Sequence, residues 1–514
     1  MFPVTLIKSH YHKPMSLQNH IARLTFAIAV LAAALGSYFV SPVLAQPAGL
    51  PSIGAVSSSE LSPAWEQRLG DSIIAQGRRD PTFVHDAELN QYLNDMGHRL
   101  AQNVQGGAPR IEVFGVRDAA FNAFAMPGGY IGINTGLIVQ SDSESELAGV
   151  MAHEIAHVSQ RHIARGLTQS QQSSNIAMAS VAAALLAALV GGVDLAAGIS
   201  AFGQAAAIDQ QLGFSRSAER EADRVGFQML NQSGYDPRGL QDMFAKLMQA
   251  SQMNVSRTGT SYLSTHPLSI DRMTDMQNRT QLTNRSRVPN SEAFWYMRAK
   301  SMILQATSRQ ALTRVVDRLQ NDGQQLKGTP RSAAWLALAE LATQKEQFDD
   351  AERFYAYAKQ GVSDNPYLAR LGGALALAKG QSSQALTLVD QALARWPNQR
   401  ALVELKAHAL EKLGRHAQAA KFLEPYTKKW PTEAPRLFEM MAKNLMAANQ
   451  PIAARVAMAD FYVLTGAFPA AMAQLQQARE LSNSFHEKSR LDVTIRALSQ
   501  RMDEEREVLE RFSG

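Results

Sequence analysis

The sequence predicts an α+β domain, mostly helical with a small sheet, followed by an all-α domain of helical repeats. Three observations carry this prediction. Strand-like and turn-like segments stand among helical stretches between residues 64 and 165, and two histidines four residues apart fall on one of those helices. Beyond residue 345, Ala, Gly and Pro recur every 34 residues. A chain of 514 residues also exceeds one core, because domains average about 150 residues.

The N-terminus has the pattern of a cleaved export signal. An apolar run at residues 24–40 follows Arg23, and residues 41–45 offer the small side chains that a signal peptidase recognises. We therefore expect a signal peptide at residues 1–45 and a Pro/Gly/Ser-rich linker at residues 46–63. An uncleaved membrane anchor is the alternative, which the shortness of the apolar run disfavours.

Composition excludes several classes of protein. The formal charge is +5, and loss of the signal peptide removes Lys8, Lys13 and Arg23 without any acid, leaving +2. This small, dispersed charge predicts no nucleic-acid partner. Cysteine is absent, which excludes disulfides, a thiolate nucleophile and a cysteine-ligated metal. Any metal must be held by histidines and carboxylates.

The first domain is expected at residues 64–285. Helical spacing extends from Glu66 to about Val104. Alternating apolar residues at 111–116 and 130–133 then predict two strands, the second of them after a Pro-Gly-Gly turn.

A longer helix is predicted from about Ser143 to Arg165. The apolar stretch at residues 176–190 follows it and is shorter than the about 20 apolar residues that span a bilayer as a helix. A buried hairpin, a mobile cover over the cleft and an interfacial helix all remain open for this stretch.

The second domain, expected at residues 290–514, has an internal period of 34 residues. This spacing is shared by Ala351, Ala385 and Ala419, by Gly380 and Gly414, and by Pro397 and Pro431. Tetratricopeptide repeats have this period, with a small residue where the helices pack, a glycine at the inner turn and a proline after the second helix. We expect stacked helix pairs in a curved superhelix; an irregular helical bundle is the alternative.

The central motif is His153-Glu154-Ile155-Ala156-His157. Residues four apart lie on one face of a helix, so both imidazoles can bind one zinc ion. Glu154 then stands beside the water that zinc activates and can accept its proton. The motif predicts a zinc endopeptidase with Glu154 as general base.

A catalytic zinc ion needs a third protein ligand. The metzincin spacing is absent, and His162 is one residue out of register, so we expect it to be structural or exposed. The gluzincin arrangement takes a glutamate from a later helix, and Glu219 fits it, with Asp223 one turn further on to orient a ligating histidine. Glu221 is the weaker candidate ligand and otherwise a solvated surface acid.

These motifs, with Phe-Asn-Ala-Phe-Ala-Met-Pro-Gly-Gly at residues 121–129 and Thr-His-Pro-Leu at 265–268, resemble the gluzincins related to the CAAX prenyl proteases. The similarity is to periplasmic members that carry tetratricopeptide repeats, and it covers nearly all of the chain after the signal segment. It implies a zinc protease of the periplasm that acts in outer-membrane protein quality control. Its substrates would be misfolded or stalled outer-membrane proteins, and its partner the β-barrel assembly machinery. It also implies that residues 121–129 offer a backbone edge to an extended substrate.

The resemblance further implies that His266 approaches the zinc as a fourth ligand and keeps the enzyme inactive until it is displaced. The residues alone leave two other roles open for His266, a hydrogen-bond donor to the transition state and a structural histidine before a proline. Arg272 either pairs with an acid in the site or forms a surface salt bridge. Two other function classes are a repeat-based chaperone or scaffold with secondary proteolysis, and a protease with integral or peripheral membrane contact.

Overall fold

The computed structural model describes residues 62–171, 214–252, 262–263, 266–281 and 287–513. Helices dominate, and a three-stranded sheet lies in the N-terminal half, which confirms the predicted α+β class with an all-α C-terminal region. The predicted signal peptide, nearly all of the linker and the apolar stretch at 176–190 lie outside the described residues. Among the helices that are described, none is long and apolar enough to cross a membrane.

The N-terminal region begins with helices α1 (Pro63–Gly77) and α2 (Ala87–Ala101). Each starts at a side chain, Ser62 or Asp86, that accepts a hydrogen bond from a backbone N–H of the first turn. The predicted helical stretch is therefore divided in two. Pro81 explains the division, because proline disfavours helical backbone at the residue before it.

The sheet contains β1 (Glu112–Val116), β2 (Ala123–Met126) and β3 (Tyr130–Asn134), in the order β1-β3-β2. β3 runs parallel to β1 and antiparallel to β2. The two predicted strands are confirmed, and β2 is an additional strand. Gly129 in the turn before β3 has φ 82°, and a Cβ there would lie 1.9 Å from the Arg110 carbonyl oxygen, so the turn requires glycine.

Among the described residues of this region, six further helices follow: α3 (Thr135–Gln140), α4 (Glu144–Ser159), α5 (His162–Gln171), α6 (Arg216–Gln232), α7 (Arg238–Gln252) and α8 (Ile270–Gln281). α4 is the central helix, buried from Glu144 to His157 and packed against α6, α7 and β2. The prediction that this helix continues to Arg165 is wrong. It ends at Ser159, and Arg161 adopts φ 52° before α5 begins.

The C-terminal region is entirely helical and comprises α9 (Glu292–Leu304), α10 (Arg309–Gln325), α11 (Gly328–Gln344), α12 (Phe348–Lys359), α13 (Pro366–Ala378), α14 (Ser382–Arg395), α15 (Arg400–Lys412), α16 (His416–Lys429), α17 (Pro435–Ala447), α18 (Pro451–Leu464), α19 (Phe468–Leu481) and α20 (Phe485–Ser513). Ala351, Ala385 and Ala419 are fully buried in α12, α14 and α16. Gly380 and Gly414 have φ 78° and 69° at the turns that precede α14 and α16. The 34-residue period therefore corresponds to packed helix pairs.

The two regions pack together, and the described residues form one compact unit. α9 lies against α2, α3 and α11, and α15 lies against α2. At the far end of the chain α20 returns to α1, where the Ser72 hydroxyl donates to the Glu505 carboxylate at 2.6 Å. The predicted boundary at residues 285–290 falls between α8 and α9 and stays a prediction.

Candidate active site

Helix α4 supplies the His-Glu-x-x-His motif. Ser143 caps its N-terminus by accepting from the Glu146 N–H, and the motif lies two to three turns further on. α6 crosses α4 at Gly226, where a Cβ would lie 3.1 Å from the backbone nitrogen of His153. The absence of a side chain at this position lets the helix that carries Glu219 approach the helix that carries both histidines.

Four side chains converge beside α4. His153 Nε2 lies 3.0 Å from His157 Nε2, 3.3 Å from His266 Nδ1 and 3.5 Å from Glu219 Oε2. Glu219 Oε1 lies 3.4 Å from His157 Nε2 and 3.0 Å from His266 Nδ1. One atom from each of the four residues fits within 4.8 Å of the others, and none of the side chains is more than 1% exposed.

Asp223 and Arg272 stand behind His153. His153 Nδ1 is 3.1 Å from Asp223 Oδ1. Arg272 donates to both oxygens of Asp223 at 2.7 and 2.8 Å, and its Nη1 is 2.7 Å from Glu219 Oε2. Arg272 is buried, which rules out the surface salt bridge considered for it.

These charges determine the ionisation of the two acids. Burial by itself raises the pKa of Glu219, but His266, His153 and His157 outweigh burial and lower it. Burial likewise raises the pKa of Asp223, and hydrogen bonds with Arg272 and His153 reverse the shift. Both carboxylates are therefore ionised and available as acceptors or ligands.

The two histidines of the motif have opposite shifts. Burial lowers the pKa of His153, but Asp223 and Glu219 outweigh it and raise the pKa to about 10. Burial dominates at His157 and lowers its pKa well below the usual range. His157 therefore stays neutral, the form in which imidazole binds a metal.

His162 and Glu221 stand behind His157. His162 Nδ1 is 3.0 Å from His157 Nδ1, and His162 Nε2 is 3.1 Å from Glu221 Oε2. His162 is 2% exposed, so of the two sequence-based expectations the exposed one is wrong. Glu221 contacts His162 and Arg165, and its side chain is 28% exposed.

Glu154 lies on the opposite side of the cluster, fully buried. Burial raises the pKa of its carboxyl to about 8, although His153 opposes the shift. Tyr262 donates its phenolic hydroxyl to Glu154 Oε1 at 3.5 Å, and the Tyr262 ring stacks on His266 with centroids 4.6 Å apart. His266 Nε2 is 3.5 Å from the same Glu154 oxygen. His266 thus lies between the other three residues of the cluster and Glu154, the candidate general base.

The spacing of these groups fits a tetrahedral metal ion. Ligand atoms at about 2.0–2.1 Å from zinc lie about 3.3–3.4 Å from one another in a tetrahedron. Five pairs among His153, His157, Glu219 and His266 are 3.0–3.5 Å apart, with Glu219 Oε2 nearest His153 and Glu219 Oε1 nearest His157 and His266. Among the described residues the buried Glu154 Oε2 has no hydrogen-bond partner, as expected of a base whose partner is a small molecule. A nitrogen-rich set with one carboxylate suits zinc.

The structure brings together all six predicted site residues, but sequence reasoning missed Tyr262 and Phe214 and undervalued His162. The Phe214 ring packs on the His157 ring with centroids 4.0 Å apart. Both aromatic residues come from segments whose position depends on the tertiary fold. A useful signal exists for Tyr262, since it lies four residues before His266 and accepts the His266 N–H through its carbonyl oxygen at 2.8 Å.

Comparison with known proteins gives consistent results. Residues 87–280 match peptidase family M48. The chain is 29% identical over 491 residues to the beta-barrel assembly-enhancing protease of Escherichia coli (strain K12). The alignment covers 94% of this chain and 97% of that protein. It is 35% identical over 156 residues to mitochondrial metalloendopeptidase OMA1 of Arabidopsis thaliana, and that alignment covers 30% of this chain and 29% of the OMA1 chain.

Two further matches are a second protease relative and a solved structure with low similarity. Metalloprotease LoiP of Escherichia coli is 28% identical over 234 residues, 45% of this chain and 87% of that protein. Among solved structures, the tetratricopeptide-repeat domain of P58(IPK) matches 59% of this chain and 89% of that chain, with 14% identity and a TM-score of 0.16. That score is too low to bear on the fold. The family match and the protease relatives agree with the buried cluster on α4 and α6: residues 87–280 match peptidase family M48, and the chain is a metalloendopeptidase.

Proposed function

We propose that this metalloendopeptidase uses zinc, acts in the periplasm and takes part in the assembly and quality control of outer-membrane proteins. The observation that carries the zinc assignment is the convergence of His153, His157 and Glu219 at the mutual distances of a tetrahedral ligand set. Bound zinc would supply a Lewis acid that polarises the scissile carbonyl and lowers the pKa of the attacking water.

Glu154 performs the proton transfers. Its carboxylate accepts the proton of the attacking water and returns it to the leaving amine. Burial raises the pKa of Glu154 to about 8, which suits a group that must both take up and release a proton near neutral pH. Asp223, held by Arg272, orients His153 from behind.

His266 is proposed as a fourth ligand that closes the site. Its Nδ1 faces Glu219 and His153, and its Nε2 faces Glu154, so the ring fills the space that a substrate carbonyl must enter. A catalytic zinc ion keeps one position open for water or substrate. His266 must therefore move away before cleavage, which predicts low basal activity.

The substrate is proposed to bind along β2. In the part of the chain that the structure describes, β2 is an edge strand of the sheet, and it packs beside α4. An extended peptide can add to such an edge through backbone hydrogen bonds. An unfolded or stalled outer-membrane protein offers such a segment, because its strands are not yet paired.

The cellular role rests on the relative named a beta-barrel assembly-enhancing protease, which aligns with 94% of this chain. By that similarity the substrates are misfolded or stalled outer-membrane proteins and the partner is the β-barrel assembly machinery. The helix pairs at residues 290–514 would bind substrate or machinery. The periplasmic location agrees with the proposed signal peptide at residues 1–45.

The test is the zinc content of purified, dialysed protein together with cleavage of casein and of the chain itself. Wild type should hold one zinc ion, Glu154→Gln should keep it while cleavage falls about 10²–10⁴-fold, and Glu219→Gln should lose it. His266→Ala should cleave faster than wild type, which separates a closed site from an inactive one. Glu480→Gln, an exposed change on α19, is the control.

A wild type that carries no zinc would contradict the proposal and favour a repeat-based scaffold. Zinc lost from Glu154→Gln but kept in Glu219→Gln would contradict the assignment of the ligands.

A further inference from the structure

A second pair of side chains lies behind the metal cluster and has no part in the roles assigned above. His162, in the first turn of α5, is buried against the far side of the His157 ring, with their Nδ1 atoms 3.0 Å apart. Glu221, on α6, contacts the other ring nitrogen of His162 at 3.1 Å. Arg165 contacts Glu221 at 3.0 Å and is half exposed.

The hydrogen-bond donors and acceptors determine which ring nitrogens of His162 and His157 carry a proton. An ionised carboxylate only accepts, so His162 Nε2–H donates a hydrogen bond to Glu221, and His162 Nδ1 carries a lone pair. That lone pair accepts a hydrogen bond from His157 Nδ1–H. His157 Nε2 then carries a lone pair directed at the cluster, which is the state a metal ion requires.

A break in helical geometry between α4 and α5 places His162 beside His157. Five residues along an uninterrupted α-helix correspond to about 140° around its axis, so a continuous α4 would point His162 away from His157. The helix instead stops at Ser159, and Arg161 adopts φ 52°, an uncommon conformation for a residue other than glycine. Arg161 is held there by Glu66 of α1 at 3.1 Å. Such backbone persists where the surroundings impose it and often marks a functional position.

The same arrangement occurs behind the other histidine. Asp223, two residues after Glu221 on α6, faces His153 Nδ1 and is itself held by Arg272. Each motif histidine is therefore supported by an acid of α6, directly at His153 and through His162 at His157.

We propose that His162 and Glu221 are positioning residues that hold His157 in the tautomer and orientation needed to bind the metal. This inference rests on the zinc site proposed above. Loss of an outer hydrogen-bond partner typically weakens metal affinity 10–100-fold.

The experiment measures zinc affinity and the rate of zinc release to a chelating dye, using full-length protein in the Glu154→Gln background to prevent self-cleavage. His162→Leu and Glu221→Leu remove the acceptor chain and should weaken zinc binding 10–100-fold. His162→Asn places an acceptor oxygen near the position of Nδ1 and should restore affinity to within about threefold. Arg165→Gln changes only the exposed end and should leave zinc release unchanged.

A purely structural role predicts a different pattern. The thermal midpoint of the zinc-free protein would then fall in step with zinc affinity, and Leu and Asn at position 162 would behave alike. Our inference requires that the zinc-free midpoints of His162→Leu and His162→Asn agree while their zinc affinities differ. If His162→Leu fails to fold, Glu221→Leu against Arg165→Gln makes the same comparison.

Zinc retained by both leucine variants with wild-type affinity would overturn the positioning role and leave the zinc site intact. A zinc-free parent protein would instead contradict the proposed function itself. The two failures are therefore distinguishable.

Discussion

Arg272 contacts both of the buried carboxylates that face His153, Asp223 and Glu219. Its guanidinium contacts Asp223 through two hydrogen bonds and lies 2.7 Å from Glu219. Two buried carboxylates thus share one cation, and the planar fork of arginine suits this better than the point charge of lysine. The Arg272 guanidinium also lies over the face of the Phe244 ring, 5.0 Å from its centroid, which adds a cation–π contact.

Replacing Arg272 with methionine should therefore leave two buried acids without the guanidinium that contacts both of them. We expect the zinc-free protein to lose about 3–5 kcal/mol of unfolding free energy. The zinc-loaded protein should lose less, because a bound cation neutralises Glu219. Urea unfolding of both forms measures the difference. Equal losses with and without zinc would show that Glu219 does not face the metal.

The residues of the site differ in how far the sequence could predict them. His153 and His157, and likewise Glu219 and Asp223, are four apart on one helix, so local geometry alone brings each pair together. His162 contacts His157 only because the chain leaves helical geometry at Arg161, and an i to i+5 spacing gives no such signal. Tyr262 reaches Glu154 by tertiary folding, and its spacing of four residues before His266 is the local signal that the sequence offers for it.

At the scale of elements, the site depends on how closely α6 approaches α4. Gly226 is the contact point, where a Cβ would lie 3.1 Å from His153 N and 3.2 Å from the Ala152 carbonyl. Both neighbours are backbone atoms of a buried helix, so neither can move aside cheaply. The glycine costs about 1 kcal/mol of helix propensity relative to alanine, and close packing compensates for that cost.

Gly226→Ala tests this balance. The gain in helix propensity is about 1 kcal/mol, but overpacking costs about 1–3 kcal/mol, so we expect a net loss of stability of up to about 2 kcal/mol. Zinc affinity should fall as well, since α6 carries Glu219 away from the histidines. Gly166→Ala in α5 is the matched control, because none of the described residues lies within 4 Å of its added Cβ. A Gly226→Ala protein that binds zinc as wild type does would contradict this account.

The repeats show what a sequence period does and does not encode. Gly380 and Gly414 occupy left-handed turns, and Glu346, 34 residues before Gly380, occupies the same kind of turn with φ 58°. The sequence period is thus less complete than the structural one, because a non-glycine residue can be forced into this conformation by its neighbours. The return of α20 to α1 has no periodic signal at all.

At the scale of the whole molecule, a buried ionic cluster joins the protease region to the repeats. Lys300 of α9 lies 2.8 Å from Asp86 and 2.5 Å from Glu88 at the start of α2, and 3.4 Å from Glu340 of α11. Arg370 of α13 contacts Glu88 at 3.0 Å and Glu340 at 2.8 Å. The three acids are close enough to hold a metal ion, but the Lys300 ammonium already occupies their centre.

This cluster makes the junction sensitive to acid. Burial by itself raises the pKa of Glu340, but Arg370 and Lys300 outweigh it and lower the pKa to about 2, from 4.5 in an unfolded chain. A lowered carboxyl pKa stabilises the folded state fully above pH 4.5, and that contribution disappears as the pH falls from 4.5 to about 2. A shift of this size corresponds to roughly 3 kcal/mol.

Glu340→Gln removes the titrating group and should flatten the dependence of stability on pH between 4.5 and 2. At pH 7 the same variant should be less stable than wild type, because Arg370 and Lys300 each lose the Glu340 carboxylate as an ion-pair partner. Urea unfolding at several pH values measures both effects, with Glu480→Gln, exposed on α19, as the control whose slope should match wild type. An unchanged slope in Glu340→Gln would mean that acid acts elsewhere. A flattened slope would mean that protonation of Glu340 at the contact between the repeats and the protease region destabilises the folded protein in acid.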